Sequence, residues 1–415
     1  MLYRLFGRST LTLLIVVSAA CVAHRPLELG EAASGPDDSA RAPRPATAPT
    51  LVIRAEESPT DTEAEVSAWA NYLSTGSERE PLIALEFVLA SAEQNVVGEL
   101  QVVRSRSENT FSDIARTFGL GYDELANANP GVDPWLPGDA TPILLPTRFV
   151  LPDAPREGVV LNIAAKRLFY YPTPAAGEAQ RVITYPIGIG RVGWATPVGS
   201  SKVIAKAENP TWYVPRSVRE EHRAMGDPLP AVVPPGPDNP LGHRVLKLDL
   251  EGYLIHGTNQ PYGVGMRVSH GCVRLYPEHI EALYGAVGLG TPVHIVNQPL
   301  LAAHDGDDLV VQAYPALEDD ERDAGTLHAP ITDKLESLAD GVQLQRVSAR
   351  INALIAEGSG LATVVTTDTE RAPDERWPRL VANNVVVDNP LSDDEVAEAM
   401  ALADEAEAIS PNAGD

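Results

Sequence analysis

Residues 253–284 read YLIHGTNQPYGVGMRVSHGCVRLYPEHIEALY, and this stretch carries the most specific pattern in the chain. An apolar run ends at His256, which predicts a short strand that stops at a histidine. A glycine-rich loop then leads to the segment SHGC at 269–272, and EHIEALY after it has helical spacing. The order predicts a strand, a loop and a helix that bring one cysteine close to two histidines.

A thiol in this setting points to nucleophilic chemistry. A cysteine with an ordinary pKa of about 8.5 is only slightly ionised at neutral pH, so it needs a base or a cation beside it. His256 stands at the rigid end of a strand. His270 lies two residues before Cys272, and in an extended segment residues i and i+2 share a face. Spacing alone leaves either histidine as the base.

The region around this stretch, residues 155–298, is rich in short runs of β-branched and aromatic residues bounded by glycine or proline. Examples are VVLNIAAKRLFYYP, RVITYPIGIG and TPVHIVN. Such runs predict a mainly β domain, either a sandwich or a barrel. EHIEALYGAVG is the clear helix of the region.

Several further segments carry a family resemblance. YPIGIGRVGWATPVG at 185–199, AENPTWYVP at 207–215 and NPLGHRVLKL at 239–248 precede SHGCVRLYPEHIEALY at 269–284. In this order the chain resembles the L,D-transpeptidases with a YkuD-type catalytic domain, in their ErfK-like periplasmic subgroup. The resemblance covers residues 155–298 and implies the β-sandwich typical of that catalytic domain.

The resemblance also implies roles for the residues of the stretch. Cys272 maps to the nucleophile and His256 to its base, with the Gly257 carbonyl orienting the imidazole in place of a carboxylate. His270 maps to a structural or oxyanion-supporting role. Backbone N–H groups around Gly271 and Cys272 would form the oxyanion hole.

Five further residues are candidates for contact with the substrate. Arg274 would hold a substrate carboxylate or brace the loop, although some forms of the family signature have asparagine there. The other four are Ser269, Thr258, Tyr262 and Trp194. The rings of Tyr262 and Trp194, with that of Trp212, are candidates for the lining of a substrate cleft, and packing in the core or in a loop is the alternative.

The implied reaction is acyl transfer on peptidoglycan stem peptides. Cys272 would attack the carbonyl at the L-centre of diaminopimelate and expel the terminal D-Ala. An amine from a second stem peptide, or a lysine of an outer-membrane lipoprotein, would then take the acyl group. Water as acceptor would make the enzyme an L,D-carboxypeptidase. No cofactor and no metal are needed, and the spacing of His222, His243 and His279 fits no compact metal site.

Residues 99–147 predict a small α+β module. ELQVVRSR reads as a strand, and a first helix places Phe111, Ile114, Ala115 and Phe118 on one face. A second helix ends at the breaker NPG, and TPILLPT closes the unit as a strand. This order resembles LysM, a glycan-binding module of cell-wall proteins, although Glu108-Asn109 stands where that family more often has Gly-Asp.

The amino terminus reads as an export signal over residues 1–20. Arg4 and Arg8 precede an apolar run that is shorter than the roughly 20 residues needed to span a bilayer. The sequence SAAC that follows resembles a lipoprotein signal, which predicts lipidation of Cys21, a periplasmic location and an outer-membrane anchor. Plain cleavage after Ala19 or Ala20 is the alternative.

Three other regions complete the chain. Residues 21–50 are rich in proline and alanine and predict a linker. Residues 51–98 predict a small helical region. Residues 299–415 predict a partly helical acidic extension, since 300–415 alone contribute −18 of the net charge of −25. This charge argues against nucleic-acid binding.

Two functions of other classes stay open on sequence alone. A non-catalytic wall-binding protein would use the LysM-like module, with Cys272 as an inert buried thiol. A cysteine protease or sortase-like enzyme would cleave ordinary L-peptides. Loss of the cysteine or of its base would indicate the first alternative, and both residues are present. Failure of a carbapenem to label Cys272, together with cleavage of ordinary L-peptides, would favour the second.

Overall fold

The computed structural model describes residues 72–73, 76–81, 86–323, 326, 344–366 and 378–387. The predicted export signal, Cys21, the linker, most of region 51–98 and the last predicted helix lie outside the described residues. Within the described ranges, no helix is long and apolar enough to cross a membrane. The described residues from Glu78 onward belong to one compact unit.

Within the described ranges, the α-helices longer than one turn are α1 (Phe111–Thr117), α2 (Tyr122–Ala128), α3 (Arg216–Ala224), α4 (Pro277–Ala286) and α5 (Leu344–Glu357), and Pro261–Gly263 forms a 3-10 helix. The strands are β1 (Glu86–Val88), β2 (Val96–Gly98), β3 (Gln101–Arg104), β4 (Pro142–Leu145), β5 (Arg148–Val150), β6 (Gly158–Asn162), β7 (Arg167–Tyr171), β8 (Arg181–Pro186), β9 (Ile189–Gly190), β10 (Gly199–Glu208), β11 (Trp212–Tyr213), β12 (Val232–Val233), β13 (Arg244–Leu248), β14 (Leu254–His256), β15 (Arg267–Ser269), β16 (Val273–Arg274), β17 (Pro292–Val296), β18 (Leu300–Asp305), β19 (Asp308–Ala313), β20 (Thr363–Val364) and β21 (Arg379–Val381).

A nine-stranded mixed sheet forms the centre, in the order β1-β8-β7-β6-β17-β10-β13-β14-β16. Alternate residues of a strand point to opposite faces. On one face, Val160 and Phe169 share a core with Phe111 of the small module. On the other, Leu168 shares a second core with Ile280 of α4. Burial on both faces explains the near-continuous apolar runs, and the prediction of a mainly β region is confirmed. Its layering as a sandwich stays a prediction.

The helical prediction for 51–98 is wrong where the structure describes that region beyond residue 86. β1 pairs antiparallel with β8, and β2 pairs antiparallel with β5. The apolar run around Phe87 is too short for periodicity to separate a helix from a strand. The open edges of β8 and β5 supply backbone hydrogen-bond partners, and pairing with these edges makes β1 and β2 strands.

The small module has the predicted order of strand, helix, helix and strand, formed by β3, α1, α2 and β4. Thr110 caps α1: its hydroxyl accepts from the Asp113 N–H at 3.3 Å, and the Asp113 carboxylate accepts from the Thr110 N–H at 2.9 Å. Asn129 ends α2, and its amide donates to the carbonyls of Leu125 and Leu144. The assignment of this fold to LysM stays a prediction.

The acidic extension contains more strands than its sequence indicates. The described residues of the extension form β18, β19 and β20 as one three-stranded sheet, together with α5. β21 pairs in parallel with β3 of the small module. The Gln312 side chain in β19 accepts from the Val150 N–H at 2.8 Å. The described part of the extension therefore packs against the small module and the strand that follows it.

Candidate active site

Strand pairing brings the predicted cysteine and histidine to one side of the sheet. β14 and β16 run parallel, with Ile255 opposite Val273 and His256 opposite Arg274. Paired residues point to the same face, and alternate residues along a strand share a face. The side chains of Cys272, Arg274 and His256 therefore point the same way, and all three line one cavity of about 270 Å³.

His256 is buried and held in one tautomer. Its Nδ1 lies 2.6 Å from the Gly257 carbonyl oxygen. A carbonyl only accepts, so Nδ1 carries the hydrogen and Nε2 of the neutral ring keeps a lone pair. Burial, followed by the positive charge of Arg274, lowers the pKa of His256 to about 3. The ring is therefore a neutral proton acceptor at neutral pH.

Cys272 is the single cysteine among the described residues and carries a thiol. Its side chain is 9% exposed and packs in an apolar cluster with Leu241, Leu254 and Trp212. Sγ lies 3.6 Å from the Gly252 carbonyl oxygen. An apolar wall around the thiol limits the access of water to it.

The loop before Cys272 is fixed by two hydroxyls. Ser269 Oγ donates to the Cys272 carbonyl at 2.5 Å and accepts from the Gly271 N–H at 3.2 Å. Thr196 Oγ1 donates to the Gly271 carbonyl at 2.9 Å. Gly271 has φ +101, a conformation that side chains disfavour. Sequence reasoning placed Gly271 in an oxyanion hole, but in this structure its N–H is engaged by Ser269.

His270 does not lie in an extended segment, so the argument that it shares a face with Cys272 fails. The chain bends at 270–271 between β15 and β16. His270 Nε2 lies 2.8 Å from Glu221 Oε2 and 3.0 Å from Arg191 Nη2. Burial, and then the charge of Arg191, lower the pKa of His270 against the opposing hydrogen bond to Glu221. The ring anchors the loop to α3.

Helix α3 forms one wall of the cavity, and sequence reasoning missed it. RSVREEHRA has few apolar residues, so no apolar run at helical spacing marks it as a helix packed on a core. Val218, His222 and the following Asp227 line the cavity opposite the sheet. Asn259 and Gln260 add polar side chains to its lining. The one indication of functional residues in this segment was its high proportion of acidic and basic side chains.

Of the other residues predicted to contact the substrate, some line the cavity and others lie outside it. Arg274 lines the cavity, and its buried Nε has no hydrogen-bond partner within the described ranges. Thr258 is buried and its hydroxyl accepts from the Gln260 N–H at 2.9 Å, which fixes a turn. Tyr262 is exposed outside the cavity, and Trp194 packs edge-on against His270. Of the three aromatic residues considered for the lining of a cleft, Trp212 lines the cavity.

Among the residues that the structure describes, no group of three or more His, Cys, Asp or Glu side chains is arranged to hold a metal ion. His222, His243 and His279 face separate partners: Asp227 at 3.5 Å, Glu281 at 2.6 Å and the Tyr185 ring at 4.9 Å between centroids.

With Cys272 in its expected role as nucleophile, we predict that its acylation is nearly independent of pH between 7 and 5. With its pKa lowered to about 3, His256 stays neutral across this range. A histidine of ordinary pKa would lose roughly 25-fold of its neutral form over the same interval. We expect the acylation rate, measured by mass spectrometry of the acyl-enzyme formed by a tetrapeptide, to fall less than about threefold. A decline centred near pH 6.5 would contradict the neutral base.

The same lowered pKa has a consequence for stability. Between about pH 6.5 and 3 the unfolded chain binds a proton at His256 that the folded protein does not bind. The free energy of unfolding therefore falls as the pH is lowered through this window. A His256→Gln variant should show a shallower decline in urea midpoints, which provides the control.

Comparison with known proteins agrees with this site. The sequence profile of the YkuD family, described as an L,D-transpeptidase catalytic domain, matches residues 156–295. The probable L,D-transpeptidase YcfS of Escherichia coli K12 is 40% identical over 270 residues, which cover 63% of this chain and 83% of YcfS. The probable L,D-transpeptidase ErfK/SrfK of the same strain is 33% identical over 300 residues, which cover 70% of this chain and 93% of the relative.

Among solved structures, the NMR structure of the catalytic domain from the E. faecium L,D-transpeptidase is 24% identical with a TM-score of 0.25, and the match covers 34% of this chain and 96% of that chain. The family profile spans both His256 and Cys272, and the relatives are matched over more than two thirds of their length. The chain therefore belongs to the L,D-transpeptidase family of cysteine-dependent acyltransferases.

Proposed function

We propose that this chain joins peptidoglycan stem peptides through an acyl-enzyme on Cys272, with His256 as general base. One observation carries the proposal: parallel pairing of β14 and β16 sets the thiol and a neutral imidazole on the same wall of one cavity. The Gly257 carbonyl holds Nδ1–H, so Nε2 is the atom that accepts the thiol proton.

The proposed reaction has two halves. In the first, Cys272 Sγ attacks the carbonyl carbon at the L-centre of diaminopimelate while His256 Nε2 takes the thiol proton. Collapse of the tetrahedral intermediate breaks the amide bond, and the imidazolium returns the proton to the departing amine of D-Ala. In the second half, an acceptor amine loses a proton to His256 and attacks the thioester, which restores the thiol.

Arg274 supplies the proposed contact to a substrate carboxylate. Stem peptides carry carboxylates at the D-centre of diaminopimelate and at the terminal D-Ala. The guanidinium lies on the cavity wall two residues from Cys272, and its Nε lacks a partner within the described ranges. A charge-assisted bond from a buried guanidinium orients such a group strongly.

The proposal gives the two histidines different functions. His256→Ala should lower kcat by about a hundredfold or more, because the thiol loses its base. His270→Ala should lower kcat less, by about tenfold, because it loosens the loop without removing the proton acceptor. Steady-state assays on a tetrapeptide donor measure both. If His270→Ala shows the larger loss, the roles are exchanged.

The reaction itself is tested with a disaccharide-tetrapeptide and mass spectrometry. Loss of D-Ala together with a cross-linked dimer would establish transpeptidation. Tripeptide alone would support the L,D-carboxypeptidase alternative, or a requirement for another acceptor, which added amines such as a lysine-bearing peptide would distinguish. No change with folded protein would favour a non-catalytic wall-binding protein.

We further propose that the small module binds wall glycan, as its resemblance to LysM implies. Its fold has the strand–helix–helix–strand order of that family. A polar surface cavity of about 330 Å³, lined by residues that include Arg106 and Asp139, suits the hydroxyl groups of a sugar chain. Glycan strands stripped of stem peptides should bind the purified protein. Binding only to peptide-bearing wall would assign the affinity to the catalytic cavity.

Export to the periplasm and lipidation of Cys21 complete the proposal. Both rest on the amino-terminal sequence, which lies outside the described residues. Mass spectrometry of the protein from membranes of a Gram-negative host should find a diacylglyceryl group on an amino-terminal Cys21. An unmodified terminus at a neighbouring residue would show plain signal cleavage, and with it no outer-membrane anchor.

A further inference from the structure

We propose that the small module positions the segment that carries Cys272, and that Gly121 is the positioning residue at the closest point. The docking face of the module is residues 116–124, from the end of α1 to the first turn of α2. This inference rests on the proposed role of Cys272. It makes the module part of the catalytic unit, beyond any affinity that it has for glycan.

The docking face contacts the chain before Cys272. The Tyr122 N–H donates to the Val264 carbonyl at 3.2 Å, within the loop that joins His256 to Cys272. Gly121 and Gly265 touch backbone to backbone: a Cβ on Gly265 would lie 2.4 Å from Gly121 Cα. A side chain on either residue would push this loop away from the module.

The docking face also contacts the chain after Cys272. The Tyr276 hydroxyl, which follows β16, donates to the Leu120 carbonyl at 3.2 Å. Arg116 donates to both carboxylate oxygens of Glu278 in the first turn of α4, at 2.9 and 3.0 Å. The segment with the nucleophile is therefore held from both ends by one face of the module.

A buried ion pair anchors the docking face to the central sheet. Arg167 of β7 is fully buried and donates to both carboxylate oxygens of Glu124, each at 2.7 Å. Arg167 Nη2 also donates to the Gly119 carbonyl at 3.0 Å. The module thus sits on a rigid base, and we expect displacement at the Gly121 contact to fall on the loop, whose next side-chain ion pairs toward Cys272 are those of Arg267 with Glu318 and Asp319.

Gly121→Ala is the direct test. Gly121 has φ −90 and ψ 157, which alanine adopts without strain, yet its Cβ would lie 2.7 Å from Gly265 Cα. Gly285→Ala is the matched control, because that exposed glycine in α4 has no atom within 4 Å of an added Cβ. In the purified full chain, we expect Gly121→Ala to lower kcat per titrated thiol about tenfold to a hundredfold, with KM changed less than about twofold. Gly285→Ala should match wild type.

A second measurement separates positioning from stability. The alkylation rate of Cys272 by iodoacetamide, followed across pH by peptide mass spectrometry, needs no substrate. Displacement of the thiol from His256 should move the midpoint of this profile in Gly121→Ala. A variant that is merely less stable would lose titratable thiol but keep kcat per thiol and the profile, which would overturn the inference. Absence of turnover in wild type would instead count against the proposed function, while the profile still tests the contact.

A charge exchange covers the case in which Gly121→Ala fails to fold. Arg116→Glu places a carboxylate against Glu278, at a partly exposed site where folding should survive. We expect about a threefold loss of kcat per titrated thiol from the lost helix contact, and recovery when Glu278→Arg is added. Equal kcat in all three proteins would overturn the inference.

Discussion

Replacement of Cys272 by alanine should abolish turnover, with at least about a thousandfold loss of kcat on a disaccharide-tetrapeptide. No other thiol lies among the described residues, and the Ser269 hydroxyl in the same cavity lining is engaged by the Cys272 carbonyl and the Gly271 N–H. Mass spectrometry of the protein should show an adduct on wild type and none on the variant after incubation with the donor. Residual turnover above about 1% would move the nucleophile elsewhere.

The fold should survive this change, which makes the loss of activity interpretable. The thiol packs against Leu241, Leu254 and Trp212, and removal of one sulfur atom from such a cluster costs about 1 kcal/mol. Circular dichroism and urea unfolding measure this directly. A variant that is unfolded would leave the assignment to the alkylation of wild-type Cys272, which blocks the same atom without a mutation.

The sequence predicted the local parts of the site because each has a local pattern. The strand that ends at His256, the loop and the helix α4 all lie within one stretch of the chain and appear as predicted. The base remained ambiguous because the argument for His270 assumed an extended segment. The bend at 270–271 depends on Gly271 with φ +101 and on the hydroxyl of Thr196, which is far away in the chain.

Contacts between segments that are distant in the chain could not be predicted from the sequence. Glu221 meets His270 only because α3 folds over the cavity, and β21 meets β3 across most of the chain. β1 forms a strand because the edge of β8 is open to it. In each case a contact with a distant segment determines the local structure. The sequence of a short apolar run or of a charged helix does not indicate which segment it will contact.

The largest expected effect on stability lies at the buried pair of Arg167 and Glu124. The Arg167 side chain is fully buried, and that of Glu124 is 7% exposed. The guanidinium also contacts Thr184 Oγ1 and lies 4.3 Å from the centre of the Phe149 ring. The cation thus makes four hydrogen bonds in a region closed to water. Loss of the opposing charge leaves a buried cation that solvent cannot reach.

Glu124→Gln should therefore lower the free energy of unfolding by about 3–5 kcal/mol, measured by urea unfolding at pH 7. Arg167→Met added to Glu124→Gln should recover part of this loss, because it removes the uncompensated charge and keeps an apolar side chain beside Phe149. The matched control is Arg181 with Glu86, a pair with 2.6 Å between Nη1 and Oε1 whose side chains are each 46% exposed. Glu86→Gln should change stability by less than about 1 kcal/mol. Equal effects at the two pairs would show that burial does not set the strength of the contact that fixes the module to the catalytic sheet.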